Sequence, residues 1–160
     1  MYTKNRPGRN ETRHTRPVSE EPGLGMLAAQ LLFAVQDELY RRLAAAGHTD
    51  LRPRHGVVLA YLDDHGSRAT ELATRSGRHK QIVGRTVDEL EALEYVTRSP
   101  DPADRRAKLV VPTARGRAAI QLSDQIMADI GRRSAAAVGA DAYRDFRRVL
   151  QHLVAELRQD

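Results

Sequence analysis

Cysteine is absent from the 160 residues, and so is tryptophan. The first absence excludes disulfide frameworks, thiolate zinc sites, iron–sulfur clusters, cysteine nucleophiles and thiol-based redox sensing. The second, with aromatics at only 4%, directs a 41% hydrophobic content towards an aliphatic helical core built on Leu, Ala and Val rather than a β-sandwich. No run of about 18 apolar residues exists to span a bilayer. The opening MYTKNRPGRN is too polar for a secretory signal, so a cytoplasmic protein is expected. Phosphate loops, nucleophile elbows and Gly-rich βαβ turns are also missing, which leaves neither an enzyme nor a cofactor as the expectation. Six histidines are present, at 14, 48, 55, 65, 79 and 152, but without HxxxH spacing. The best cluster, Asp63–Asp64–His65, sits at a helix end where such residues cap or are solvated, so no metal is expected.

Lys and Arg outnumber Asp and Glu by 26 to 21, for a net charge of +5. Residues 1–18 hold Lys4, Arg6, Arg9, Arg13 and Arg16 against Glu11 alone, so four of those five charges lie in the tail. That tail is too polar and too rich in Pro and Gly to offset its ordering entropy and is expected to be disordered. It is either a solubilising extension or an arm that reaches DNA phosphates or a minor groove.

From Ser19 onward the pattern is helical. Leu24, Leu27, Leu31, Val35, Leu39 and Leu43 recur at three- and four-residue spacing until Gly47 and predict one long amphipathic helix. Pro53 opens a second, with apolar positions from Val57 to Leu62. Two short helices, Ala69 to Ser76 and His79 to Glu94, flank a turn at Gly77–Arg78, the layout of a helix-turn-helix. On the second of these Val83, Val87 and Leu90 share one side while Gln81, Arg85 and Asp88 project from the other. Residues 95–99 and 107–111 are β-competent and bracket the turn-forming PDPADRR, which predicts a hairpin. Thr113 then caps a helix to about Arg133, a break falls at Ala137–Val138–Gly139, and an amphipathic helix carrying Phe146, Val149, Leu150, Leu153, Val154 and Leu157 ends the chain. The expected architecture is mainly α with a small β-hairpin wing. It comprises the tail at 1–18, a dimerisation helix at 19–48, a winged helix-turn-helix at 49–112 and dimerisation helices at 113–160. The terminal helices carry more apolar surface than so small a core can cover, and a homodimer is expected.

From Leu51 to Ala118 the segments LRPRHGVVLAYL, ELATRSGRHKQIVGRTVDELEALEYVTR and SPDPADRRAKLVVPTARGRA resemble, without a gap, the MarR family of transcriptional regulators. The resemblance implies a helical dimerisation module, two winged helices, and a pseudo-palindromic operator from which a small ligand or other signal releases the dimer. The residues suit that role. Gln81 can pair bidentately with adenine and Arg85 with guanine, one helical turn apart. Arg75, Arg78 and Lys80, with His79 at the N-cap, supply phosphate contacts. In the wing, Asp104 and Arg106 match the family's Asp-x-Arg, implying that the aspartate fixes the tip by pairing with arginine; Arg105 and Arg106 are the minor-groove candidates and Arg98 a phosphate or structural contact.

Several residues depart from the family pattern. Gly84 replaces a helix former on the recognition helix and admits close approach of backbone to DNA; Glu94 replaces the glycine before the Tyr-Val strand and predicts a different turn there. Arg52 and Gly56 stand where a Thr or Ser cap and a bulky apolar residue are common. A phenolic or carboxylate effector in the cleft between the modules is a candidate small partner, with Arg42, His55 and Tyr61 as its candidate contacts; ordinary packing and surface roles are the favoured alternative for those three side chains. Against the specific regulator stands a sequence-independent architectural DNA-binding protein, which would use the same basic features.

Overall fold

A computed structural model describes residues 21–158, without the side chain of Arg105; the basic tail expected at 1–18 lies outside the described residues. The chain runs α1 (Leu24–Ala45), a 3-10 turn (Pro53–His55), α2 (Gly56–Leu59), β1 (Ser67–Arg68), α3 (Ala69–Ser76), α4 (Lys80–Ala92), β2 (Val96–Asp101), β3 (Asp104–Pro112), α5 (Ala114–Val138) and α6 (Ala140–Glu156). It is mainly helical with a small antiparallel sheet, as the sequence predicts. Leu43 of α1, Val58 of α2, Leu72 of α3, Val83, Val87 and Leu90 of α4, Tyr95, and Ala119 and Ile126 of α5 are buried together in one core.

Three elements differ from the sequence expectation. The helix announced by Pro53 is cut to a 3-10 turn and one α-helical turn, because the bonding tightens after Leu59, where Tyr61 N–H donates to Val58 O at 3.0 Å in a 3-10-type bond that ends the helix. The hairpin gains a third strand: Ser67 and Arg68 pair with Val110 and Leu109, giving the order β1-β3-β2. A two-residue strand has too little periodicity to be seen in a sequence. Finally, α5 continues to Val138 and stops only at Gly139, whose φ of 91° no L-residue adopts cheaply.

The end of α4 corrects a further expectation. Tyr95 N–H donates to Leu90 O at 2.9 Å and Glu94 N–H to Glu91 O at 3.0 Å, the paired bonds of a glycine-type helix terminus. Glu94 therefore makes the same left-handed turn that glycine would, at φ 62°, and a different turn does not form. The Thr113 hydroxyl donates to Glu94 O at 2.6 Å and helps hold it. Glu94→Gly is expected to raise stability by about 0.5–1 kcal/mol, since glycine removes the Cβ penalty at the cost of a floppier unfolded chain. Chemical denaturation checks it; an unchanged or lower midpoint would show that the turn is not strained.

Much of the apolar stripe of α1 faces outward. Leu24, Met26, Leu27, Leu31, Leu32 and Phe33 are exposed, as are Phe146, Val149 and Val154 of α6 and the following Leu157; α6 has no buried residue at all. Among the described residues no helix is long and apolar enough to cross a membrane.

Candidate nucleic-acid interface

The turn between α3 and α4 is fixed by Gly77 at φ 65°. Arg78 N–H donates to Ala73 O at 3.1 Å and Gly77 N–H to Thr74 O at 3.3 Å, which aims the chain directly into α4. His79 is the N-cap of α4, where the sequence places it, and makes no side-chain cap bond. With no acidic residue in its first turn, the start of α4 keeps the positive potential of its open amides. Val83, Thr86, Val87 and Leu90 are buried beneath, leaving Gln81 and Arg85 exposed on the outer side with Gly84 half-buried between them. A Cβ added to Gly84 would meet nothing within 4 Å, so packing does not require glycine there. Ala73, Thr74, Arg78, His79, Lys80 and Gln81 line a shallow groove of about 540 Å³ along this edge.

The pairing of charges separates the cations into two groups. Arg54, Arg68, Arg75, Arg98 and Arg115 each lie within 4 Å of a carboxylate. Among the described residues Arg78, Lys80 and Arg85 on the helix edge, and Arg106 and Lys108 on β3, have no such partner. Cations left unpaired at a surface are available to an external anion. Lys108 was not singled out in the sequence; its signal was its place two positions beyond Arg106, on the same side of the strand.

Two of the expected contacts have carboxylate partners within the chain: Arg75, expected at phosphate, and Arg98, expected at phosphate or in a structural role. Arg75 binds Asp63 at 2.7 Å, and Asp63 also accepts from Ser67 Oγ at 2.8 Å, tying α3 to the start of β1 and occupying the best residue of the Asp63–Asp64–His65 cluster. Arg98 binds Asp88 at 2.5 Å and also Glu91, locking the base of the wing to α4 and neutralising an aspartate beside Arg85. The wing tip is corrected too. Asp104 accepts the backbone N–H of Arg106 at 3.1 Å rather than its guanidinium, and the arginine within ion-pair distance of it is Arg68, at 3.9 Å. The buried anchor is Asp101, which binds Arg68 Nε at 2.6 Å and Ala103 N–H at 2.8 Å. Ala103 N–H and then Arg68 hold the Asp101 carboxyl below its ordinary pKa. Sequence reasoning missed this anchor because its cation lies on the unforeseen β1.

The tilt of α4 is set from its far side. Glu89 accepts Arg54 Nε at 2.6 Å and pairs with His55 Nε2 at 3.1 Å, while His55 Nδ1 accepts the Arg52 N–H at 3.1 Å. Arg54 first and His55 second hold the Glu89 carboxyl below the usual carboxylate range. His55 is thus a buried, fully bonded structural residue, and Arg52 replaces the expected Thr or Ser cap by this exchange.

A cavity of about 790 Å³ lies between α1, α2, α5 and the α3–α4 turn. Of the three candidate ligand contacts only Tyr61 lines it. Arg42 is paired with Asp129 of α5 at 2.7 Å and His55 is committed to Glu89. Tyr40, which sequence reasoning passed over, lines the cavity next to Gly56. A Cβ on Gly56 would come within 3.2 Å of the Tyr40 hydroxyl, so the missing side chain at 56 leaves room for that phenol. Burial raises the pKa of Tyr40.

The helix-turn-helix, the arginine-anchored wing and, among the described residues, the cations without a carboxylate partner on both define a winged-helix fold of the kind that DNA-binding transcription regulators use. Residues 49–107 match the model of the MarR family. Three solved structures show the likeness. CouR from Rhodococcus jostii RHA1, bound to p-coumaroyl-CoA, is 25% identical, with a TM-score of 0.67 over 84% of this chain and 95% of that one. The transcriptional repressor CouR bound to a 23-mer DNA duplex is 26% identical, with a TM-score of 0.63 over 86% and 93%. A Mycobacterium tuberculosis MarR family protein, Rv2887, in complex with salicylic acid is 25% identical, with a TM-score of 0.59 over 84% and 98%. No curated protein matches the sequence.

Proposed function

We propose that the protein is a sequence-specific repressor that binds a pseudo-palindromic operator as a homodimer and is released by a small ligand with an apolar body and a phenolic or carboxylate head. The observation that carries this reading is the division of the cations among the described residues: Arg78, Lys80 and Arg85 at α4 and Arg106 and Lys108 on β3 have no carboxylate partner, while Arg54, Arg68, Arg75 and Arg98 are spent on positioning α4, β1 and β2. Gln81 and Arg85 read base edges in the major groove; Arg78, Lys80 and the α4 amides at His79 take phosphates. Arg105 and Arg106 enter the minor groove. Arg75, Arg98 and Asp104 serve by holding this scaffold. In vitro selection of bound duplexes, followed by competition with random DNA, tests the reading. Recovery of a two-fold site with half-site centres about 10 bp apart supports it, and equal affinity for random DNA overturns it in favour of an architectural role.

The exposed faces of α1 and α6 support the homodimer, since large apolar surface of this kind marks an interface. Sedimentation at micromolar concentration is expected to give about twice the 17.9 kDa chain mass; a monomer at that concentration removes the two-fold operator from the proposal.

Gly84 separates stability from binding. Gly84→Ala is expected to stabilise the free protein by about 0.5–1 kcal/mol, because alanine suits a helix interior and its methyl meets open space. The same methyl stands between α4 and a closely approaching duplex, so DNA affinity is expected to fall. Thermal melting and fluorescence anisotropy read the two effects; a stabilised variant with unchanged affinity would show that the backbone does not approach the duplex at 84.

A further inference from the structure

Arg78 is common to the linings of the groove along α4 and of the cavity behind it, and no other residue is shared between them. It sits at the joint, between Gly77 and the N-cap of α4, with its backbone N–H tied to Ala73 O at 3.1 Å. Its side chain is exposed and, among the described residues, has no carboxylate within 4 Å. The next cavity-lining residue on α4 is Ile82, so a molecule filling the cavity touches the recognition helix itself.

We infer that Arg78 serves two anions in turn: a DNA phosphate when the cavity is empty, and the anionic head of the effector when it is filled. The inference rests on the repressor reading above and adds the residue through which release works. A guanidinium binds a carboxylate or a phosphate through the same fork of N–H donors, and it cannot present that fork to both. Two other cations line the cavity, Arg54 and Arg158. Arg54 is already held by Glu89 at 2.6 Å. Asp124 on α5 also lines the cavity and disfavours an anion at that wall. Among the described residues, the remaining free cation on the DNA side is Arg78. Filling the cavity with a neutral molecule leaves Arg78 to the phosphate, whereas filling it with an anion withdraws Arg78 from the phosphate.

The test uses the full chain, salicylate as the probe and salicylamide as its neutral counterpart. Calorimetric titration without DNA is compared with release of a selected duplex followed by anisotropy, for the wild type, Arg78→Ala, Arg78→Lys, Arg158→Ala and Lys80→Ala. Arg78 is exposed and its guanidinium holds no carboxylate of the described chain, so its variants keep the fold. Arg78→Ala is expected to bind salicylate at least tenfold more weakly while salicylamide is unaffected, since a hydrogen-bonded charge pair contributes about that factor. Its DNA complex is weaker by one neutralised phosphate per protomer, with a salt slope shallower by about 0.9 for each such phosphate, and it no longer dissociates with salicylate. Arg78→Lys falls between, because an ammonium offers no fork. Lys80→Ala, which lines the groove alone, loses DNA affinity and keeps salicylate affinity. The proposal is overturned if the wild type binds DNA but not salicylate, if Arg78→Ala binds or responds to salicylate as the wild type does, or if the weakening appears in Arg158→Ala instead. Each of those results leaves DNA binding intact, whereas a wild type that binds no duplex overturns the repressor reading together with this one.

Discussion

Gly116→Ala is expected to lower stability by about 3 kcal/mol, seen as a melting midpoint about 10 °C lower. A Cβ on Gly116 would sit 1.9 Å from the carbonyl oxygen of Tyr95, far inside any permitted approach. Neither side can yield cheaply. The Tyr95 carbonyl accepts Thr113 N–H at 3.0 Å and lies 3.2 Å from the Thr113 hydroxyl, which itself accepts Gly116 N–H at 3.0 Å as the cap of α5. The Tyr95 ring is fully buried. Its hydroxyl donates to Asp50 at 2.7 Å, and Arg115 lies 4.3 Å over its face while pairing with the same aspartate at 2.9 Å. Burial first and Asp50 second push the Tyr95 hydroxyl up to about 12, so it remains a donor at every pH at which the protein is handled. The strain therefore falls on the junction of β2, β3 and α5. Opposing it is the gain of about 1 kcal/mol that alanine offers a helix, which is smaller than the overlap. Gly25→Ala in α1, where a Cβ meets nothing within 4 Å, supplies the contrast: that variant is expected to gain stability. A Gly116→Ala protein that melts with the wild type would mean the α5 cap relaxes without cost.

The same junction shows what a sequence can and cannot disclose. Thr113 was legible as a cap while the close approach of Gly116 to Tyr95 was not, and α3, α4 and the hairpin could be placed because local periodicity and turn residues determine them. Arg85 and Gln81 were legible as outward-facing from the helical period alone. The fate of Arg75 and Arg98 was not, since an ion pair across 12 residues to Asp63 or 10 to Asp88 is decided by tertiary packing that leaves no periodic trace. His55 misled for the same reason: a histidine beside an expected cleft reads as a ligand contact until its two ring nitrogens are found bonded to Arg52 and Glu89. The net charge of +5 pointed towards nucleic acid, yet most of it lies in residues 1–18. What marks the interface is which cations remain unpaired, a property of the folded chain and not of its composition.

The double variant Gln81→Ala/Arg85→Ala is expected to bind the selected operator at least a hundredfold more weakly while losing much less affinity for random duplex. A bidentate side-chain contact to a base edge contributes about 1–3 kcal/mol of discrimination, and in a two-fold complex each substitution acts in both half-sites. Even the low end of that range, over four contacts, exceeds two decades of affinity. Both side chains are exposed on α4, one turn apart above the buried Val83 and Val87, so their removal leaves the helix packed and the melting midpoint within about 2 °C of the wild type. The salt dependence distinguishes their role from that of their neighbours. Lys80→Ala removes a phosphate partner and flattens the dependence of log K on log salt, whereas removing the base-edge pairs lowers the specific affinity with little change in slope. Anisotropy titrations of operator and random duplex at several salt concentrations separate these effects. Equal weakening on both duplexes would assign Gln81 and Arg85 to the phosphate backbone, and the specificity of the protein would then have to reside in the wing, where Arg106 and Lys108 are the cations without a carboxylate partner among the described residues.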